Sequence, residues 1–346
     1  MKNTTVIGVD LAKDVLQVCI YTDNKVRSNT EMTPQAFTSW LAIQTPATVI
    51  FEACATSNYW KRLATEYGHQ AQLVSPQLVS RIRQHQKTDK NDALAIIQSA
   101  LLPNVNFIGG KSLLQQQLQS ILRMRDLAVK QKTAQLNQIK SILLEFNIRY
   151  DSRHGGIKAA VQYALEDAEN GFNMAFRKAL AQAWQLFITT NDLIQEYDEG
   201  LRALLNHIPE CKKLTQLEGV GVINAINLYM TIECEGERVF SSGRNVAACI
   251  GLTPIQYSSG GKVKLGSVGK HVRNSTLRSQ LVTGAFTFIN SVSKREPKTE
   301  KEQWLKALIN RRGKKCAAVA LANKTVRTAF AMLQNGTDYR SVAIPG

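Results

Sequence analysis

The 346-residue sequence predicts an α/β domain, then a long helical segment, then a mostly helical basic C-terminal domain. Three observations carry this. Short apolar runs of strand length crowd the first 75 residues, and two of them end in an acid. No Pro or Gly occurs from 112 to 147. The formal net charge is +16, and residues 211–346 alone hold 21 basic and 8 acidic side chains.

Residues 4–10 read as the first strand, ending on Asp10. Residues 14–22 read as the second, Asp23-Asn24 as a turn, and a short third strand follows near 25–30. Thr33-Pro34 opens a helix to about Ile43, because Pro presets the backbone of a first helical turn. The run 47–52 is a fourth strand, ending on Glu52. Ser57 starts a helix to about Tyr67, and Gly68 stops it. Residues 71–74 form a fifth strand, and Ser75-Pro76 opens another helix. Three hairpin-connected strands followed by alternating helices and strands is the order of an RNase H-like fold.

Over 112–147, Leu114, Leu118, Ile121, Leu136, Ile139, Leu143 and Phe146 recur mostly at spacings of three or four. That predicts one helix about 50 Å long. It forms a coiled coil or dimer arm, or else packs along its own domain. Helices continue over 157–206, with Gly155-Gly156 as a break. The expected division is 1–105 catalytic, 106–210 helical or coiled-coil, and 211–346 basic. Within the last, Leu217-Glu218-Gly219-Val220-Gly221 reads as a turn between two helices. Gly219 and Gly221 either bring backbone N–H groups to a phosphate or simply permit a tight turn.

A basic field confined to one domain favours a polyanion, with nucleic acid first and an anionic membrane surface second. No basic helix with an aromatic face supports the membrane. No run approaches the ~20 apolar residues that span a bilayer. The N-terminus does not read as a signal peptide, since Asp10 interrupts its apolar run. Six scattered cysteines without a Cys-x-x-Cys pair argue against structural zinc and for reduced thiols in the cytoplasm.

An acid at the end of a buried strand is costly unless something pairs with it. A divalent metal is one such partner, and Mg²⁺ takes hard oxygen ligands. Asp10 and Glu52 lie side by side if their strands neighbour one another. Asp89 and Asp92, three apart at a helix start, face the same way. Together they are a candidate Mg²⁺ site (Mn²⁺ as substitute) for phosphoryl chemistry. The alternative for Asp89 and Asp92 is first-turn charges that favour the helix dipole. Asp14 is set apart from Asp10 by strand alternation together with the turn between them. Lys13, Lys87 and Lys90 are candidate phosphate contacts, as are Lys262, Lys264, Lys270, Arg273 and Arg278 in the basic domain. Arg311, Arg312, Lys314 and Lys315 form a second basic cluster.

These motifs resemble those of the DEDD insertion-sequence transposases, relatives of the Piv DNA invertase and the RNA-guided bridge recombinases. Val6-Ile7-Gly8-Val9-Asp10-Leu11-Ala12-Lys13, Phe51-Glu52-Ala53 and Lys87-Thr88-Asp89-Lys90-Asn91-Asp92-Ala93 are similar to three catalytic motifs. Gly251-Leu252-Thr253-Pro254 through Ser258-Ser259-Gly260-Gly261-Lys262 is similar to the family's second segment. The resemblance covers about 4–105 and 211–335. It implies a Holliday-junction-resolvase-like catalytic domain with Asp10, Glu52, Asp89 and Asp92 as the tetrad. It further implies a serine nucleophile before a glycine, Ser259 or its neighbour Ser258, and a phosphoserine link that lets strands rejoin without ATP. Read without the resemblance, Ser258-Ser259-Gly260-Gly261 is a flexible turn. The implied partners are double-stranded DNA, at the element ends and target, and a structured guide RNA.

Two stretches depart from the family pattern. Glu218 stands where a Pro-Gly-x-Gly is usual, and Gly269-Lys270-His271-Val272-Arg273-Asn274 replaces a Ser-Lys-x-Gly stretch. The leading expectation is a site-specific recombinase in the prokaryotic cytoplasm, at the nucleoid. Its alternatives are a metal-dependent junction resolvase that uses water and a non-enzymatic nucleic-acid binder. Recombination joins two sites, so a dimer pairing into a tetramer on DNA is expected.

Overall fold

A computed structural model describes residues 5–151, 155–233, 239–269 and 275–344. The chain divides into two compact units. One comprises Met1–Gln116, Leu217–Gly219 and Asn227–Gly346; the other comprises Gln117–Gln216 and Val220–Ile226.

In the first unit, β1 (Val6–Leu11), β2 (Leu16–Thr22) and β3 (Lys25–Met32) form an antiparallel meander. β4 (Thr48–Glu52) and β5 (Gln70–Val74) add in parallel, giving the order β3-β2-β1-β4-β5. Each strand lies within two residues of its predicted bounds. The connecting helices are α1 (Pro34–Ala42), α2 (Ser57–Glu66), α3 (Pro76–Ile82) and α4 (Asp89–Ala100). Thr33 caps α1, its hydroxyl accepting from the Ala36 N–H at 3.2 Å, and Pro34 follows in the first turn. Thr88 caps α4 in the same way through the Asn91 N–H.

Alternation sends strand side chains to opposite faces. Ile7, Val9, Val49 and Phe51 pack with Phe37, Leu41 and Trp60 from α1 and α2. Val6, Cys19, Ile50 and Val74 pack with Val79, Ala93, Ile96 and Ile97 from α3 and α4. Burial on both faces explains why β1 and β4 read as continuous apolar runs. Each fully buried large side chain contributes about 1.5–3 kcal/mol. Gly8 faces α4, and a Cβ there would lie 2.5 Å from Ile97 Cγ1 and 2.6 Å from the Ala93 carbonyl oxygen. Only glycine admits the helix this close.

Helix α5 (Leu113–Glu145) matches the predicted long helix. α6 (Gly156–Glu166) starts at the predicted glycine break, and α7 (Met174–Asn206) follows. In the second unit, Arg125 pairs with Asp198, and Lys132 Nζ donates to Asn191 Oδ1 at 3.2 Å. Ile139 and Leu143 cluster with Leu180 and Trp184. Partners fall in residue number along α7 as they rise along α5, so the two helices run antiparallel. The chain's own α7 covers this part of the apolar stripe.

Helix α8 (Pro209–Lys213) and a 3-10 turn (Leu214–Gln216) lead to α9 (Val222–Ile232) and α10 (Gly243–Ile250). A two-stranded sheet of β6 (Pro254–Ser259) and β7 (Lys262–Val268) precedes α11 (Ser275–Val292) and α12 (Glu300–Asn335). α12 breaks at Gly313, at φ 77° and ψ 166°, between Arg311-Arg312 and Lys314-Lys315. The basic domain is thus mostly helical as expected, but its serine turn belongs to a hairpin.

Candidate active site

Strands β1 and β4 run parallel with Val9 beside Phe51, so the next residues, Asp10 and Glu52, come side by side where the strands end. Alternation puts Asp10 on the face of Val6 and Gly8, and Glu52 on the face of Ile50. That is the face covered by α4, whose first turn carries Asp89 and Asp92. The α4 N-terminus favours acids there.

Burial first, then the charges of Asp92 and Asp89, push the Asp10 carboxyl above the usual carboxylate range. The Leu11 N–H and Lys87 oppose this. Glu52 is raised by burial, then by Asp10 and Asp92, with Lys87 and Arg83 opposing. Asp10 thus feels the charges of Asp89 and Asp92, and Glu52 those of Asp10 and Asp92. Arg83 Nη1 donates to Asp92 Oδ1 at 2.8 Å, a partner the sequence reading missed. Among the described residues, no three His, Cys, Asp or Glu side chains converge tightly enough to hold a metal ion. The donor chemistry fits a divalent cation nonetheless. The acids are hard oxygen donors that repel one another, and Gln17, beside Asp10 in the sheet, has a buried Oε1 with no partner.

This repulsion has a measurable sign. A carboxyl raised in the fold binds its proton more tightly than in the unfolded chain. Stability therefore falls as pH rises from the ordinary carboxylate value through the raised one. Asp10→Asn removes one repelling charge, so the metal-free variant melts about 2 °C above the parent at neutral pH. The gap closes as pH falls to the ordinary carboxylate value, where Asp10 is protonated in the folded chain. Thermal melts in EDTA across that range measure it.

The serine segment is built differently. Ser259 pairs with Lys262 and Ser258 with Val263 across β6 and β7. Gly260 and Gly261 close the hairpin at φ 55° and 77°, the two-residue turn that demands positive φ at both positions. Register separates the serines. Ser259 shares its face with Lys262, Tyr257 and Lys264, whereas Ser258 shares its own with Val263 and Leu265. All seven side chains are exposed. Arg278 Nε donates to the Gly251 carbonyl, before β6, and its guanidinium lies against Gly269, after β7. It ties the two feet of the hairpin together.

Lys13, Lys87 and Lys90 are exposed, Lys13 between β1 and β2 and the others around the start of α4. Lys270 and Arg273 lie outside the described residues. Gly219, at φ 75°, has a packing role: a Cβ there would lie 2.6 Å from the Gly284 carbonyl oxygen of α11. Gly221 has open space. Glu218, the departure from the family's proline, accepts hydrogen bonds from Lys301 and Tyr339 and ties the turn to α12 and the segment after it.

Two family models match the chain. One, described as a transposase of DEDD type, covers residues 7–148; the other, the transposase IS116/IS110/IS902 family, covers 211–301. The chain is 33% identical to the transposase for insertion sequence element IS1111A of Coxiella burnetii, over 98% of this chain and 92% of that one. It belongs to the IS110/IS116/IS902 transposase family. The transposase for insertion sequence element IS1328 of Yersinia enterocolitica is 29% identical over 98% of this chain and 99% of that protein. The pilin gene-inverting protein of Moraxella lacunata is 24% identical over 77% of each. The first match spans Asp10, Glu52, Asp89 and Asp92, and its type points to an RNase H-like fold and dependence on a divalent metal. The second spans the hairpin of this transposase. No helix among the described residues is long and apolar enough to cross a membrane.

Proposed function

We propose that this transposase cuts and rejoins DNA through a phosphoserine link, with the acidic tetrad and Ser259 acting on one phosphodiester. The observation that carries this reading is the hairpin register. It places Ser259 at an exposed tip, beside two lysines suited to flanking phosphates and away from the apolar Ser258 face. Ser259 Oγ attacks phosphorus, the Oγ–P bond forms, the bond from phosphorus to a deoxyribose oxygen breaks, and the serine proton ends on that oxygen. Reversal by a different deoxyribose hydroxyl rejoins the strand. Asp10, Glu52, Asp89 and Asp92 would hold Mg²⁺, replaceable by Mn²⁺. Bound there, the metal supplies Lewis-acid stabilisation of the phosphate charge.

Residues 1–105 supply the acidic half of catalysis, 106–210 self-association, and 211–346 nucleic-acid contact and the serine loop. Exposed Met124 and Leu127 on α5 support a helical arm that joins copies, a dimer pairing into a tetramer on DNA. Lys13, Lys87, Lys90, Gly219, Gly221, Lys262, Lys264, Lys270, Arg273 and Arg278 are the proposed nucleic-acid contacts. The substrate is double-stranded DNA at the element ends and target, chosen with a structured guide RNA. A basic surface with few aromatic residues suits that division of labour. The protein works in the prokaryotic cytoplasm, at the nucleoid.

The test is a nicked duplex that traps a covalent intermediate. A denaturation-resistant protein–DNA band mapping to the β6–β7 turn is expected. Turnover without such a band assigns the nucleophile to water, as in a junction resolvase.

A further inference from the structure

One polar side chain beside the acids has a bond it does not make. Gln17 is 2% exposed, the second residue of β2 in the otherwise apolar stretch Leu16–Ile20. It is the direct register partner of Asp10, so the two share a face of the sheet. Its Nε2 donates to Asn29 Oδ1 on β3 at 2.7 Å. Asn29 Nδ2 donates in turn to the Lys90 carbonyl oxygen of α4 at 3.0 Å. That last bond fixes which way the Asn29 amide lies, because a carbonyl takes only a donor. Asn29 therefore offers oxygen to Gln17, which fixes the Gln17 amide as well. With Nε2 taken by Asn29, Oε1 is the amide atom left over, on a side chain that shares its face of the sheet with Asp10. This oxygen is buried and has no hydrogen-bond partner.

An unpaired buried acceptor costs about 1–3 kcal/mol. A carboxylate cannot relieve it, having no proton to give. A divalent cation or a water in its shell can.

We propose that Gln17 is a fifth oxygen donor of the acidic site, whose Oε1 helps hold the divalent cation. The Gln17–Asn29–Lys90 chain aims that oxygen and ties the first turn of α4, with Asp89 and Asp92, to the sheet. This rests on the reading of the four acids as a cation site.

The experiment is Mn²⁺ binding to the full-length protein without DNA, followed by the loss of the free-ion resonance, with Asp10→Asn as the control that assigns the signal. Gln17→Leu removes the oxygen at similar volume. It is expected to weaken Mn²⁺ binding about tenfold. In EDTA its melting temperature stays near the parent's, since the loss of an unsatisfied acceptor offsets the loss of the Gln17–Asn29 hydrogen bond. A merely structural glutamine predicts the reverse, a lower melting temperature and unchanged Mn²⁺ affinity, and that result overturns the proposal. Gln17→Glu, which keeps an oxygen, is expected to bind at least as tightly as the parent. If Gln17→Leu does not fold, Asn29→Ala decides. It frees the Gln17 amide to turn and is expected to weaken binding, though less than Gln17→Leu does; parental affinity there counts against the proposal. Failure of the parent itself to bind Mn²⁺ removes the cation site and Gln17's role together, which distinguishes that failure from Gln17→Leu binding normally.

Discussion

Ser259→Ala abolishes strand cleavage and joining, while Ser258→Ala keeps activity within about tenfold of the parent. The contrast follows from hairpin register. Removing the Ser259 hydroxyl removes the attacking atom, and loss of a nucleophile typically costs on the order of 10⁶-fold. Ser258 faces the other way, beside Val263 and Leu265, and alanine there leaves the backbone pairing and the Lys262 side intact. Both variants are expected to bind duplex DNA as the parent does, since neither loses a charge. Joining assays on a paired-end substrate, with filter binding as the control, measure this. Equal activity in the two variants would remove the serine from the mechanism and leave water as the nucleophile.

Gly8→Ala damages the acidic site without touching an acid. The added methyl meets the Ala93 carbonyl oxygen at 2.6 Å, and backbone cannot swing aside as the end of a side chain can. Helix α4 must back away from β1, carrying Asp89 and Asp92 from Asp10 and Glu52. Strain of this kind typically costs about 1–3 kcal/mol. The expected result is a melting temperature lower by roughly 3–8 °C. Divalent-ion affinity and strand cleavage fall with it. Thermal melts and ion titration on one sample check both. Parental ion affinity in this variant would mean that the distance from α4 to the sheet does not set the site.

The acids were legible because each stands where chain chemistry marks it. Asp10 and Glu52 end apolar runs, which makes a charge conspicuous, and Thr88 flags the helix start that carries Asp89 and Asp92. The strands were legible for a related reason: two buried faces leave a continuous apolar signature in β1 and β4. What stayed hidden depends on atoms meeting across the fold. Gly8 is one glycine in a strand and gives no period to read. Arg83 lies nine residues from Asp92, a spacing no helical or strand rule connects. Gln17 did interrupt an apolar strand, a visible signal, but its meaning needed the register with Asp10 and the reach to Asn29. The partner of α5 was hidden too, because an amphipathic stripe says that something covers it and not what. The serine segment shows the same limit. Two adjacent glycines read as flexibility, and only the pairing of Lys262 with Ser259 turns them into a closed turn with a direction.

The small sheet that carries Ser259 has two strands and hence two edges, each with backbone groups that no neighbouring strand pairs. Tyr257, Val263 and Leu265 are more than half exposed on it. A lone hairpin of this kind is marginal by itself in water. The five-stranded sheet is a separate ladder, so local melting of the hairpin does not propagate into it through shared strands. The proposed nucleophile and the acidic frame therefore stand on different sheets. The serine can be ordered and released many times during a reaction cycle while the bulk of the folded molecule stays intact.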